Sequence, residues 1–517
     1  MNSLRVKTPW MAILLATIAT TVCAFESQLT VTNAAYIVGN LGLTADEFTW
    51  IIGTFLAAQL LGVALTDRFL NALGTRNFQL SACAGYVAFE LMAAYSPEYL
   101  TFALSRAGAG FVNGLLTTAS LMLIMRKAAP DRRLLLYFLF GAPAIFVVPI
   151  ALGIGGGMIE NATWRQIYEC AAIPGAMLFA AFFTLLPNSG TRAHPLNKMD
   201  WIGLALLVAS AASYCIIMVR GTTENWLDSP FIQALIAFNL MSWTTFFFQQ
   251  LHSRKAPLLH VSLFRNAHLL AVISLNVIFG FILSYTLVVI SFLVLTQDAN
   301  SMQIGMAVAW SGLTAPFILS KFKWVDYRVL LLIGAGLFVA SGTVNGNLTR
   351  LEDGNDLMLS QVLRALGQTF FLWPLWNLTI LGIEKRDFQA AAKLYTFSRT
   401  IGTAAGIAAV GAIELWRENA HSVHITETLN DPYFHSLTSH LVRNFVEHGS
   451  TLSQASRQAL IAVTKHVRAE SLVLTYSDTF WLLGLCALAA VFPLVFVRAP
   501  NGPSIWDICA RRLTLRN

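Results

Sequence analysis

The sequence predicts an all-α polytopic membrane protein, and three observations carry that prediction. Of its 517 residues 56% are hydrophobic and only 12% are charged, roughly half the charged share of a soluble domain. Mean hydropathy is +0.61, so apolar side chains are too abundant to be hidden in one or two soluble cores. Apolar windows long enough to cross a bilayer recur along the chain, and in lipid runs of that length satisfy their backbone as helices.

Fourteen windows qualify. The first, 10–37, follows Arg5 and Lys7 and has the look of a secretory leader, but no small-residue cleavage pattern closes its apolar run from Trp10 to Phe25. Equally apolar windows keep returning, so it reads as a first span. Spans 47–66 and 77–95 flank the polar turn Asp67–Arg76, and 99–125 and 134–156 flank the basic run Arg126 to Arg133. Next come 167–187, 200–219, 231–250 and 267–295, separated by short polar connections. Span 301–320 is the least defined, being short around Trp310–Pro316. The last four are 329–345, 358–382, 394–416 and 479–498, with one long external loop, 417–478, before the final span.

An even number of spans puts both termini on one side. Of the 34 Lys and Arg, 23 fall on the side of the termini, 8 on the other and 3 inside spans, so the positive-inside rule places both termini in the cytoplasm. The net charge of +7 is thereby a topology signal and not a nucleic-acid footprint. The six cysteines are scattered without a CxxC, which argues against a disulfide framework or a thiolate metal site.

Ionisable groups inside spans are the informative ones, because each costs from about 2.5 to over 10 kcal/mol at membrane depth. Span 1 holds Glu26, with Thr30 and Asn33 on the same helical face. Span 3 holds Glu90, span 4 Arg106, span 12 Arg364 and span 13 Arg399. Such groups are either interior ion pairs that fix helix register or parts of a mechanism; for Glu26 the functional reading is preferred. Arg106 ahead of Gly108 and Gly110, and Arg364 ahead of Gly367, form a weak internal repeat, and related halves with a site between them are the design of alternating-access transporters.

The segments 28–35 (QLTVTNAA) and 62–69 (GVALTDRF) with Gly74-Thr75-Arg76, then Ser105-Arg106 through Gly110, Gly141 through Pro149 to Gly153, Gly156 and Gly157, and finally Ser398-Arg399-Thr400-Ile401-Gly402 occur in order. Together they resemble the fourteen-span drug:proton antiporters of the major facilitator superfamily, EmrB/QacA type, over essentially the whole chain. The resemblance implies two six-helix lobes, 1–190 and 266–500, with an extra helix pair at 191–265 and a cytoplasmic tail at 501–517. It implies a proton-coupled efflux transporter of the inner membrane for amphipathic or hydrophobic drugs. By the same likeness Gly62, Asp67, Arg68 and Arg76 form a cytoplasmic gate, and Pro149, Gly153, Gly156 and Gly157 mark the antiporter helix; a solvated turn and a plain packing helix are the bland alternatives. A cavity lined by Gln28, Thr30, Asn33, Arg364, Trp373 and Arg399 is expected. The aromatic residues of the spans, Phe246-Phe247-Phe248 and Phe370-Phe371 with Trp376, either line that cavity or simply pack.

One departure from the family pattern matters. An acidic residue usually stands where this chain has Gln28, and Glu26 lies about 200° around the helix from it. Either Glu26 carries the coupling proton, tuned by Arg106, or coupling lies elsewhere, with Glu90 next in line. The loop 417–478 is similar to that of the EmrB subgroup of Gram-negative bacteria, which implies a periplasmic membrane-fusion adaptor and an outer-membrane channel as partners. It holds six of the ten histidines at irregular spacings, so a solvated, partly helical loop is expected rather than a metal site. No HExxH, GxSxG or P-loop is present, and neither an enzyme nor a cofactor is expected. The rival cargo is one dedicated metabolite, such as a siderophore or organic acid.

Overall fold

The computed structural model describes residues 9–127, 163–186, 200–252, 258, 266–296, 325–349, 352, 355–380, 387–427 and 432–498. The expected spans 134–156 and 301–320, with Pro149, Gly153, Gly156 and Gly157, lie outside the described residues, as does the tail. Among those described, nine helical stretches are long and apolar enough to cross a membrane. The protein is an all-α polytopic membrane protein.

The first expected span divides into α1 (Pro9–Thr32) and α2 (Ala34–Leu41) at Asn33. Spans 2 and 3 run on as one helical stretch, α3 (Ala45–Ala94), which departs from helical geometry only at Gly74, φ 75°. That left-handed backbone angle suits glycine, so the turn expected at 67–76 is compressed to a single residue. Then follow α4 (Tyr99–Lys127), α5 (Trp164–Leu185), α6 (Trp201–Arg220) and α7 (Pro230–His252). Span 9 is interrupted at Leu283-Ser284 between α8 (Ala267–Ile282) and α9 (Tyr285–Thr296). The remainder is α10 (Tyr327–Val344), α11 (Met358–Ile380), α12 (Phe388–Glu427), α13 (Pro432–Glu447), α14 (Leu452–Cys486) and α15 (Val491–Leu494).

Helix starts are written locally. Thr44 with Glu47 and Thr451 with Gln454 close capping boxes at α3 and α14, and Asp200, Asn266 and Asp326 cap α6, α8 and α10 by accepting from backbone amides. The long loop expected at 417–478 is a helical extension of two spans: α12 continues to Glu427, α13 follows, and α14 begins at Leu452. Ala455, Ala459, Val463 and Val467 bury one stripe of α14. His421 of this region donates from Nε2 a 2.6 Å hydrogen bond to Asp478 Oδ2, which also pairs with Arg417. No cluster of metal-ligating side chains occurs among the described residues.

Close backbone approach organises the packing that positions the site. A Cβ on Gly62 would strike the Phe111 carbonyl, and one on Gly110 or Gly114 would strike the carbonyls of Phe55 and Gln59, so α3 and α4 touch through their backbones. On the other side of the molecule Gly280 and Gly402 do the same for α8 and α12. Polar bonds then lock the pairs: Asn239 donates to the Ser210 carbonyl and Ser213 hydroxyl (both 2.8 Å) between α6 and α7. Apolar residues such as Trp201, Ile202, Phe238 and Phe248 face outward and are exposed, where lipid is their solvent. The aromatic runs mostly pack: Phe371 stacks on Phe279, and Trp376 on Tyr395.

Gly110→Val should force α3 and α4 apart at a cost of about 1–3 kcal/mol or more, as overpacking does. The expected result is a lower apparent Tm of the detergent-purified protein, against no loss for Gly336→Ala, whose new Cβ would meet nothing within 4 Å.

Candidate functional site

Three charged side chains from three helices meet in the membrane interior. Arg106 of α4 donates from Nη1 to Glu26 Oε1 of α1 (3.0 Å) and from Nη2 to Glu90 Oε1 of α3 (3.1 Å), and all three are fully buried. The guanidinium lies over the Tyr168 ring of α5, 4.6 Å from its centroid. Asn113, two turns along α4 from Arg106, donates to Glu26 Oε2 (2.9 Å) and to the Cys23 carbonyl (2.6 Å), and Gln59 Nε2 donates to Asn113 Oδ1 (3.0 Å). Both oxygens of Glu26 are therefore occupied, whereas Glu90 Oε2 has no partner among the described residues. With two carboxylates around one guanidinium, the cluster carries a net charge of −1 unless a proton binds.

Against this cluster lies a cavity of about 180 Å³. Its wall on one side includes Gln28, Gln59, Arg106 and Asn113, and on the other Thr286, Gln368, Arg399 and Thr403, with Ile52, Phe55, Leu287 and Ile407 supplying apolar surface. The cavity thus sits between N-terminal and C-terminal helices. Of the residues expected around it, Gln28, Thr30 and Arg399 line it. Thr30 also shares a 3.2 Å hydrogen bond with the Tyr168 hydroxyl. Glu26 and Glu90 are not in the wall; they reach it through Arg106.

Three expected lining residues sit elsewhere. Asn33 is buried where α1 breaks, its amide donating to the Leu29 carbonyl (2.8 Å) and closing the helix end. Trp373 packs edge-on against Tyr327, ring centroids 5.6 Å apart, in a small cluster with Leu330. Arg364 lies behind the wall, donating to Gln361 Oε1 (2.8 Å) and to the Thr286 hydroxyl (3.0 Å), and touches the cavity only through Thr286.

The model of the Major Facilitator Superfamily matches residues 15–409. The chain belongs to this superfamily. It is similar to the colistin resistance protein EmrB of Acinetobacter baumannii, 21% identical over 502 residues and covering 95% of this chain and 96% of that protein. It is also similar to the multidrug export protein EmrB of Escherichia coli K12, 24% identical over 514 residues, with 95% and 96% covered. Among solved structures, the inward open xylose transporter XylE from E. coli matches at TM-score 0.58 and 14% identity, covering 97% of this chain and 99% of that one. As a major facilitator, the protein is a secondary-active transporter of small molecules across a membrane and not an enzyme.

In this facilitator the turn segment of α3 makes a second polar junction. Lys393, at the start of α12, donates to Asp67 Oδ2 (2.9 Å) and to the Leu258 carbonyl (2.6 Å). The Leu258 amide donates to Gln250 Oε1 (2.8 Å), and Gln250 Nε2 donates to Asp200 Oδ2 (3.0 Å). A chain of hydrogen bonds thereby connects α3 to α12 and to the α6–α7 pair. Arg76 stands apart, bonded to the Phe183 carbonyl at the end of α5 (2.7 Å), and Gly62 serves the α3–α4 crossing. Sequence reasoning missed Lys393 because the expected span began at 394 and the lysine counted as a loop charge. Asn113 and Gln59 were missed as well, although Asn113 stands at i+7 from Arg106, on the same helical face.

Arg106→Ala strands two buried carboxylates and should destabilise the protein by about 3–5 kcal/mol. Denaturant unfolding in detergent should show the loss, and the triple change Arg106→Met, Glu26→Gln, Glu90→Gln should recover much of it. Lys393→Ala leaves the largely buried Asp67 without its cation, and should both lower stability by up to about 3–5 kcal/mol and broaden the distance between spin labels placed at Asn71 and Gln389, read by pulsed electron resonance.

Proposed function

We propose that this facilitator is a proton-coupled exporter of amphipathic or hydrophobic compounds across the inner membrane. The observation that carries the reading is the Glu26–Arg106–Glu90 cluster set directly behind a largely apolar cavity between N-terminal and C-terminal helices. In the proposed cycle Glu26 takes a proton when the cavity faces the periplasm, which loosens its hold on Arg106. Arg106 lines the cavity, so the charge state of the carboxylates is relayed to the substrate. Release of the proton to the cytoplasm resets the pair, and coupling arises because substrate and proton bias the same states.

The finer architecture belongs to the same proposal: fourteen spans in two six-helix lobes, 1–190 and 266–500, α6 and α7 as the extra pair, and both termini cytoplasmic. Asp67 and Lys393 then latch the cytoplasmic ends of the two lobes. The names of the two relatives, one for colistin resistance and one for multidrug export, favour efflux as the direction. The helical extension formed by α12, α13 and α14 offers a periplasmic surface for a membrane-fusion adaptor leading to an outer-membrane channel.

The test is transport in proteoliposomes containing the purified protein, with an imposed pH gradient and two reporters, the cation ethidium and the amphipathic anion 8-anilinonaphthalene-1-sulfonate. Glu26→Gln should cut gradient-driven movement of whichever reporter the wild type carries by about tenfold or more, the scale of losing a general proton-transfer group, while gradient-free exchange persists. If Glu26→Gln transports with an unchanged pH dependence, Glu26 is not the carrier.

A further inference from the structure

The charges around the cavity are unequally partnered. Arg106 has two carboxylates. Arg399 on the opposite wall is half-buried, and its guanidinium has no hydrogen-bond or ion-pair partner among the described residues. The two expected spans outside those residues cannot supply a carboxylate, since the sequence has no Asp or Glu between Asp131 and Glu160 or between Asp298 and Asp326. Behind the same wall lies Arg364, held by Gln361 and Thr286 and again without an acidic partner.

The backbone that carries Arg399 is also held firmly in place. Gly280 lets α8 press against the Arg399 carbonyl, and Gly402 lets α12 press against that of Val277. Asn276 of α8 donates to the Tyr395 carbonyl and to the Ser398 hydroxyl (2.8 Å), pinning the turn of α12 that precedes Arg399. A guanidinium tethered in a membrane cavity without a counter-ion is costly, and the cost is relieved when an anion binds. Its planar fork suits a carboxylate or another oxyanion.

We infer that Arg399 anchors the anionic headgroup of the transported molecule, so that the substrate class is amphipathic anions whose apolar part lies against Ile52, Phe55, Leu287 and Ile407. The inference rests on the reading of this cavity as the transport site. Thr403 and Gln368, which line the cavity as well, complete a polar rim for the headgroup.

The experiment is equilibrium binding to the full-length protein in nanodiscs, with empty nanodiscs subtracted, using octanoate, octanamide and octyltrimethylammonium. Wild type should bind octanoate about tenfold more tightly than either of the others, equivalent to one good charge-assisted contact. Arg399→Gln should abolish that preference, bringing octanoate binding down to the level of octanamide, with an unchanged size-exclusion profile showing that the variant is folded; Arg399→Lys should restore part of it. Equal binding of octanoate and octanamide by wild type, a preference for the cation, or octanoate binding indifferent to Arg399→Gln overturns the inference. Because binding requires no gradient, the two readings fail separately. Arg399-dependent octanoate binding without gradient-driven transport of either reporter, the anionic one included, sinks proton-coupled export and keeps the anion site, and gradient-driven export of a reporter without an octanoate preference does the opposite.

Discussion

The salt bridges of Arg106 are the interaction on which the N-terminal helices depend. A guanidinium in the middle of an apolar span is tolerable only with partners, and here each partner comes from a different helix: Glu26 from α1, Glu90 from α3 and the Tyr168 ring from α5. The cluster therefore fixes the rotation of α1 about its axis. With Glu26 turned toward α3 and α4, Gln28 is turned toward the cavity. Burial of such a cluster is weak evidence for net stability, since desolvation offsets most of the attraction. Its value lies in specificity: only one packing of the helices satisfies all three charges.

Interfaces of two physical kinds run through the molecule, and they differ in how easily they open. Helix pairs α3–α4 and α8–α12 meet backbone to backbone at glycines, where any separation loses dense packing over a whole crossing. The contact of α3 with α12 at Asp67 and Lys393 is a nearly buried ion pair, its lysine 1% and its aspartate 13% exposed. Breaking such a pair costs on the order of 3–5 kcal/mol while its groups stay buried, and the cost falls once an opening junction lets water reach them, a relief that a glycine crossing does not have. The ion pair's tie through Leu258 and Gln250 to Asp200 joins the α6–α7 pair to the same junction.

Most of the fold was legible in the sequence because lipid imposes a coarse rule: long apolar windows must be helices, and their ends coincide with polar residues. Boundaries failed where that rule is silent. Asn33 ends α1 by a side-chain bond to its own backbone, and hydropathy does not register that. Gly74 bends one continuous stretch where two helices with a turn were expected. The buried charges were legible as candidates since they are rare and costly, but their pairing was not, because Glu26, Glu90 and Arg106 are brought together only by tertiary packing. Trp373 illustrates the reverse error: aromatic character said nothing about which side of α11 it faces, and it packs on Tyr327.

The two walls of the cavity carry opposite chemistry, and that asymmetry bears on coupling. Among the described residues, carboxylates in contact with the site belong to α1 and α3, whereas the arginines without acidic partners, Arg364 and Arg399, belong to α11 and α12. In the proposed cycle a proton acts on the first wall and an anion on the second. If both groups were on one rigid wall, a proton would change substrate affinity by a fixed electrostatic increment in every state. On opposite walls the increment varies with their separation, because attraction between charges falls with distance and with the entry of water. The conformational change itself then modulates how strongly the negative cluster opposes an anion at Arg399. Transport coupling needs only that dependence, since a ligand shifts an equilibrium by as much as its affinity differs between the two states.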